Sequence, residues 1–380
     1  MKIVDAIENK FLVLGLFIDF SKAFDVVSHD ILLAKLNRYG IRGKPLEIFV
    51  TYLRNRRQLV NINGTSSQSR IMSQGVPQGS VLGPLLFLLY SNDLINFLTK
   101  TVEGVKVVCY ADDTNILIVK KDVISLKNAA EMVYNNVILW SDKNGLKLNK
   151  DKTNVVVFSN RPYFNLTLFD NSLECLKPLS NSRMLGVVFE EGLKWGMHID
   201  ELCNKLRSNC YALKFLSNYC SHTSLLTLYF ANFHSRLSYG VLSWGASPNA
   251  RRVFLLQKYA IRIVAGLSYR ESCRESFKEL NILTLAGLYI FKMCVYVYQN
   301  KSLFEINRTA HDYNTRNREL LLPNSHRSTF YQKNIFFNAC KFYNHLETDL
   351  KDAGNVNIFK TRLKKKLIGR CCYSIQEFFN

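Results

Sequence analysis

Tyr110-Ala111-Asp112-Asp113 places two adjacent carboxylates inside apolar, strand-like sequence. Val105-Lys106-Val107-Val108-Cys109 precedes them and Thr114-Asn115-Ile116-Leu117-Ile118-Val119 follows. Apolar, β-branched runs on either side of a polar break predict strand–turn–strand. Two acids at such a turn are costly to desolvate unless a cation or partner neutralises them. The pair therefore reads either as a hairpin tip in solvent or as part of a divalent-metal site. A further acid, Asp19, ends the apolar run that begins at Phe11. Alone, Asp19 could be a helix N-cap or a strand end. With Asp112 and Asp113 it completes a set of three carboxylates. Three hard oxygen ligands suit Mg²⁺ better than zinc. Two such ions about 3.5–4 Å apart can clamp the attacking and leaving oxygens of a phosphoryl displacement.

The charge balance narrows the substrate. Fifty Lys and Arg against thirty Asp and Glu give a formal net charge of +20. A surplus of this size favours a polyanion, nucleic acid before a small phosphate ester. An anionic membrane is the rival partner, but no lipidation signal or basic amphipathic helix stands out. No apolar run reaches the roughly 18 residues of a membrane span. Phe11–Phe20 is broken by Asp19 and lacks a cleavage site, so it predicts a buried strand rather than a signal peptide. The ten cysteines show neither C-x-x-C nor zinc spacing, which predicts reduced thiols and a nuclear or cytoplasmic protein. Asn63-Gly64-Thr65, Asn165-Leu166-Thr167 and Asn307-Arg308-Thr309 match the glycosylation triplet but carry little weight without a secretory signal.

A chain of 380 residues can build two or three cores. Residues 1–10 read as the end of a helix and 11–20 as a buried strand. A helix is expected from Ser28 to Tyr39, stopped by Gly40, and another over Pro45–Arg54. Short strands flank Asn63-Gly64. The apolar run Leu85–Tyr90 opens a buried helix ending near Leu98. The acidic hairpin spans 105–119, a helix 123–144 and a strand 155–158. Beyond 196 helical periodicity dominates to about 300. An Asn, Arg and His-rich stretch at 301–325 reads as a basic linker to terminal helices.

In order along the chain come Asp19-x-x-x-Ala23-Phe24, Pro77-Gln78-Gly79-Ser80, Tyr110-Ala111-Asp112-Asp113, Gly145-Leu146-x-Leu148-Asn149-x-x-Lys152-Thr153 and Leu185-Gly186-Val187. This series resembles the palm of reverse transcriptases. Phe20-Ser21-Lys22-Ala23-Phe24-Asp25, Tyr39-Gly40-Ile41-Arg42-Gly43 and Gly75–Pro84 are spelled like those of non-LTR (LINE-type) retrotransposons, jockey-like elements in particular. The resemblance is specific from about residue 8 to 200. It is weaker beyond, where Tyr313–Arg318 and Phe342-Tyr343-Asn344 resemble the same elements.

The resemblance implies an α+β right-hand polymerase: a palm with partial fingers over 1–195, a helical thumb-like domain over 196–300, and a basic linker with C-terminal helices over 301–380. It implies that Asp19 and Asp112 ligate two Mg²⁺ (or Mn²⁺), with the carbonyl of Phe20 as a further ligand and Asp113 beside them. Phe24 would lie under the sugar of the incoming deoxynucleotide and exclude a 2′-hydroxyl, while Gln78 and Gly79 would contact nucleotide and template. Lys152 would act as an acid toward pyrophosphate. Leu185, Gly186 and Val187 would grip the primer. Lys205, Arg207, Lys214, Arg251 and Arg252 would meet phosphates; each alone could equally be a solvated basic face. Trp244 and Tyr239 could stack on bases or sit in the thumb core. The expected partners are an RNA template, a DNA primer and dNTP. The fingers and endonuclease domains that precede this palm in the family are expected to be missing, as in a truncated copy. The function implied is RNA-directed DNA synthesis, and the alternative is a nucleic-acid-binding remnant without turnover.

Overall fold

A computed structural model describes residues 2–159, 167–169, 175–306, 320–323 and 334–380. The Tyr313–Arg318 segment and the Asn307 triplet lie outside the described residues. The chain divides into two compact units. One comprises Asn9–Gly186 with Glu190–Gly192; the other comprises Leu193–Asn380 with Val187–Phe189 and the first eight residues, which hold helix α1 (Lys2–Glu8).

The first unit is built on β1 (Leu12–Ile18), every residue of which is buried. After it come β2 (Phe20–Ser21), α2 (His29–Arg38), α3 (Lys44–Leu53) and two small ribbons, β3 (Arg57–Gln58) with β6 (Arg70–Ile71) around β4 (Asn61–Ile62) with β5 (Thr65–Ser66). Helix α4 (Leu82–Thr101) leads to the hairpin β7 (Val105–Tyr110) and β8 (Asp113–Lys120). Helix α5 (Val123–Lys143), β9 (Lys147–Leu148), β10 (Asn154–Phe158), β11 (Leu168–Phe169), β12 (Cys175–Leu176) and β13 (Asn181–Met184) complete it. The main sheet runs β10-β1-β8-β7, antiparallel throughout. On one face of β1, Leu12, Leu14, Leu16 and Ile18 share a core with Leu86 and Leu94 of α4 and Ala130 and Val133 of α5. On the other face space is tight: a Cβ on Gly15 would stand 2.9 Å from the ring of Phe158.

The helices are fixed by local chemistry. Ser28 caps α2, its hydroxyl accepting from the Ile31 amide, and Asp122 caps α5, accepting from the Ser125 amide at 2.8 Å. Pro84 sits in the first turn of α4, where its missing N–H costs nothing, so this helix starts before the expected Leu85. Lys35 ties α2 to α4 and α5. Its ammonium donates to the Tyr90 carbonyl at 2.6 Å and to Asp93 at 2.9 Å, and lies over the Tyr90 and Trp140 rings. Burial pushes the Lys35 pKa down, and Asp93 opposes that shift.

The second unit is helical. It contains β14 (Val187–Glu190) except its last residue, α6 (Gly196–Leu216), α7 (His222–Leu228), a π-helical turn (Tyr229–His234), α8 (Ser235–Ser238), α9 (Val241–Trp244), α10 (Ala250–Ala265), α11 (Arg274–Glu279) and α12 (Leu285–Gln299). The described residues of 301–380 fall in this same unit. Phe342, Phe359 and Phe378 are buried in the same core as Trp244 and Tyr289, because the terminal helices Ile335–Asn344 and Val356–Arg370 turn their apolar faces onto α12. Helix α1 belongs here as well, with Asn334 Nδ2 donating to Asp5 at 3.1 Å.

Candidate active site

The sheet register brings the carboxylates together. Ile18 at the end of β1 pairs with Thr114 of β8, and Tyr110 pairs with Asp113 across the β7–β8 turn. Asp19, one residue past Ile18, therefore reaches the level of Asp113. Ala111 closes the turn with φ 51°, and Asp112 follows it. All three carboxylates are half-buried. The Asp113 carboxyl is pushed above its ordinary range, first by burial and then by the charges of Asp112 and Asp19. This is the electrostatic state a cation would relieve, and oxygen donors alone suit a hard divalent ion. Among the described residues, however, no three His, Cys, Asp or Glu side chains are drawn into one ligating cluster.

A loop docks beside them. The Val76 amide donates to the Phe24 carbonyl at 2.8 Å, and the Gly75 amide to the Val27 carbonyl at 2.8 Å. Gly75 has φ 88°, and a Cβ there would lie 2.7 Å from the Asp25 carbonyl oxygen, so only glycine permits the approach. The Phe24 ring packs on Phe87 at 4.8 Å between centroids. Gln78 Nε2 donates to Asp25 Oδ1 at 2.9 Å, which brings together two segments 53 residues apart. Gly79 turns with φ 79° and open space around it. Asp25, Gln78, Arg56 and Arg57 line a cleft of about 530 Å³. The sequence reading missed Arg56 and Arg57. Their signal was the basic run Arg54-x-Arg56-Arg57 opposite the quoted Asp25.

A second loop is pinned to Asp19 from the other side. The Asn149 amide donates to the Asp19 carbonyl at 2.8 Å, and Asn149 Oδ1 accepts from the Lys152 amide at 3.3 Å. Phe20 pairs with Leu148. Lys152 is exposed within a turn of this anchor. Leu185 and Gly186 form a turn with φ 47° and 76°. Lys205, Arg207, Lys214, Arg251 and Arg252 are exposed on α6 and α10 of the other unit. Arg252 is held by Asp200 at 2.5 Å. Trp244 is fully buried, its indole N–H donating to the Tyr239 carbonyl at 3.1 Å, so it is a core residue.

Residues 5–189 match the reverse transcriptase (RNA-dependent DNA polymerase) family. Over these residues the chain is similar to LINE-type reverse transcriptases. The chain is 25% identical over 290 residues to the RNA-directed DNA polymerase from mobile element jockey of Drosophila melanogaster, covering 73% of this chain and 31% of that protein. It is 26% identical over 298 residues to the probable RNA-directed DNA polymerase from transposon BS of Drosophila melanogaster, covering 74% and 32%. It spans about a third of the length of these curated relatives. Apo telomerase from Candida tropicalis is similar at a TM-score of 0.40 and 13% identity, over 76% of this chain and 49% of that one.

Proposed function

We propose that this chain catalyses RNA-templated DNA synthesis, joining dNTP to a primer 3′-hydroxyl. The observation that carries the reading is the sheet register that brings Asp19, past the end of β1, level with Asp113 beside Asp112. The primer oxygen attacks the α-phosphate of the nucleotide and pyrophosphate departs. Asp19, Asp112 and the Phe20 carbonyl would hold Mg²⁺. Bound there, the metal supplies Lewis-acid stabilisation of the phosphoryl oxygens. Asp113 adds negative charge that strengthens cation binding. Arg56 and Arg57 offer guanidinium groups to the phosphates. Phe24, braced by Phe87, forms the floor under the sugar and leaves no room for a 2′-hydroxyl. Gln78 and Gly79 position the base pair, and Lys152 donates a proton toward pyrophosphate. Leu185, Gly186 and Val187 hold the primer end. Lys205, Arg207, Lys214, Arg251 and Arg252 meet nucleic-acid phosphates, with Arg252 giving up Asp200 to do so.

The test is primer extension on an RNA template with Mg²⁺ and deoxynucleotides, with Asp112→Asn as control. Product that is lost in the variant supports the enzyme. Duplex bound without extension by either protein supports the binding remnant instead.

A further inference from the structure

We infer that the groove between α6 and α10 binds single-stranded nucleic acid, stacking unpaired bases on exposed aromatic rings while Arg207 and Lys214 hold the phosphates. The groove lies within the helical unit and encloses about 500 Å³. Its floor is apolar: Cys210 and Leu256 meet there, the thiol reaching the Leu256 carbonyl at 3.7 Å. Burial pushes that thiol up to about 12, so the floor is uncharged at neutral pH.

The wall is one face of α6. Arg207, Tyr211, Lys214 and Phe215 recur at spacings of three and four residues, Asn218 follows just past the helix end, and Tyr259 of α10 faces them. Helix α6 already spends its other face on the core through Leu202, Leu206 and Leu213. The rings on the groove side are therefore not core residues. Tyr211 is 75% exposed and Phe215 56% exposed. Two further rings extend the track: Tyr219 lies 5.4 Å from Phe215, and Tyr269 lies 6.2 Å from Tyr259. Arg207 is oriented by Asn204 Oδ1 at 2.7 Å.

The lining chooses the occupant. Among the described residues no carboxylate lines the groove, and two cations flank its rings. That selects a polyanion over an apolar peptide. Exposed rings then select a single strand over a duplex. Duplex bases are covered by their neighbours, whereas an unpaired base presents a π-face that any aromatic ring can accept. The inference deepens the proposed function, which already places Arg207 and Lys214 on nucleic-acid phosphates, but it requires none of the carboxylates.

The test uses the full chain and labelled oligo(dT) and oligo(U) of about 12 nucleotides, with a duplex of equal length, followed by fluorescence anisotropy across a salt series. Tyr211→Ala with Phe215→Ala is expected to weaken single-strand binding by about ten- to hundredfold. Its salt slope and its duplex binding should stay unchanged. Arg207→Gln with Lys214→Gln is expected to lower the salt slope by about two contacts. Tyr211→Trp should retain binding and gain an indole emission that the oligonucleotide quenches. Wild-type affinity in the alanine pair, or equal loss for strand and duplex, overturns the proposal. If the alanine pair fails to fold, Tyr211→Trp decides, and unquenched emission overturns it. Asp112→Asn should bind the oligonucleotides like wild type, so a failed groove and a failed polymerase are separable results.

Discussion

Phe24 owes its place to two contacts made by different parts of it. Its ring leans on Phe87 at 4.8 Å, and its carbonyl accepts the Val76 amide at 2.8 Å. Replacing Phe24 with Val keeps the backbone contact and removes the flat ring. In an active protein the kcat/KM ratio of ribonucleotide to deoxynucleotide should rise roughly tenfold or more. An unchanged ratio would show that the ring is packing alone. Gly75 carries the complementary argument. With φ 88° and only 2.7 Å between a Cβ and the Asp25 oxygen, Gly75→Ala strains the loop or pushes it off. Strain of this kind costs about 1–3 kcal/mol. Denaturant unfolding should show that loss, and the nucleotide KM should rise with it, because Gln78 loses its seat on Asp25. Wild-type stability together with wild-type KM would refute the docking argument.

Helix α5 illustrates what an element needs from one residue. Asp122 accepts from both the amide and the hydroxyl of Ser125, each at 2.8 Å, and these bonds hold its carboxyl below the usual range. A carboxylate with a depressed folded pKa contributes stability above its unfolded pKa of about 3.9 and loses it as pH falls through the folded value. Asp122→Ala should therefore lower the melting temperature near neutral pH. The gap to wild type should narrow in acid, and a gap independent of pH would rule out the cap as its cause. Such caps are local, which is why α2, α5, β1 and the β7–β8 hairpin were legible in sequence from apolar runs and stop residues. The pairing of β1 between β8 and β10 was not, because nothing local encodes which strands meet. The three acids could be listed from residue type, and the register supplied their proximity. The Asp25–Gln78 contact and the Arg56–Arg57 cleft were hidden for the same reason, since each joins distant segments. That Phe342, Phe359 and Phe378 of the terminal helices share a core with Trp244 and Tyr289 was likewise not local information.

At the scale of the molecule, two clusters of buried apolar residues among the described residues share no member. One is centred on the sheet with α4 and α5, the other on α6, α10, α12 and the terminal helices. Two cores of this kind need not melt together, since two-state behaviour is a property of single cooperative units. Scanning calorimetry should resolve two transitions. Leu14 is fully buried in the first core and Leu206 in the second. Truncating either to Ala removes packing worth about 2–5 kcal/mol. For units of this size each kilocalorie lowers its transition by about 2–4 °C. Leu14→Ala should move one peak and Leu206→Ala the other. A single peak displaced by both substitutions would mean that the two cores unfold as one. A nucleic acid held only by the helical unit offers a second handle on the same question. An oligonucleotide seated in the α6–α10 groove should raise the peak that Leu206→Ala lowers and leave the peak of Leu14→Ala where it was, because a ligand stabilises only the unit whose native state binds it.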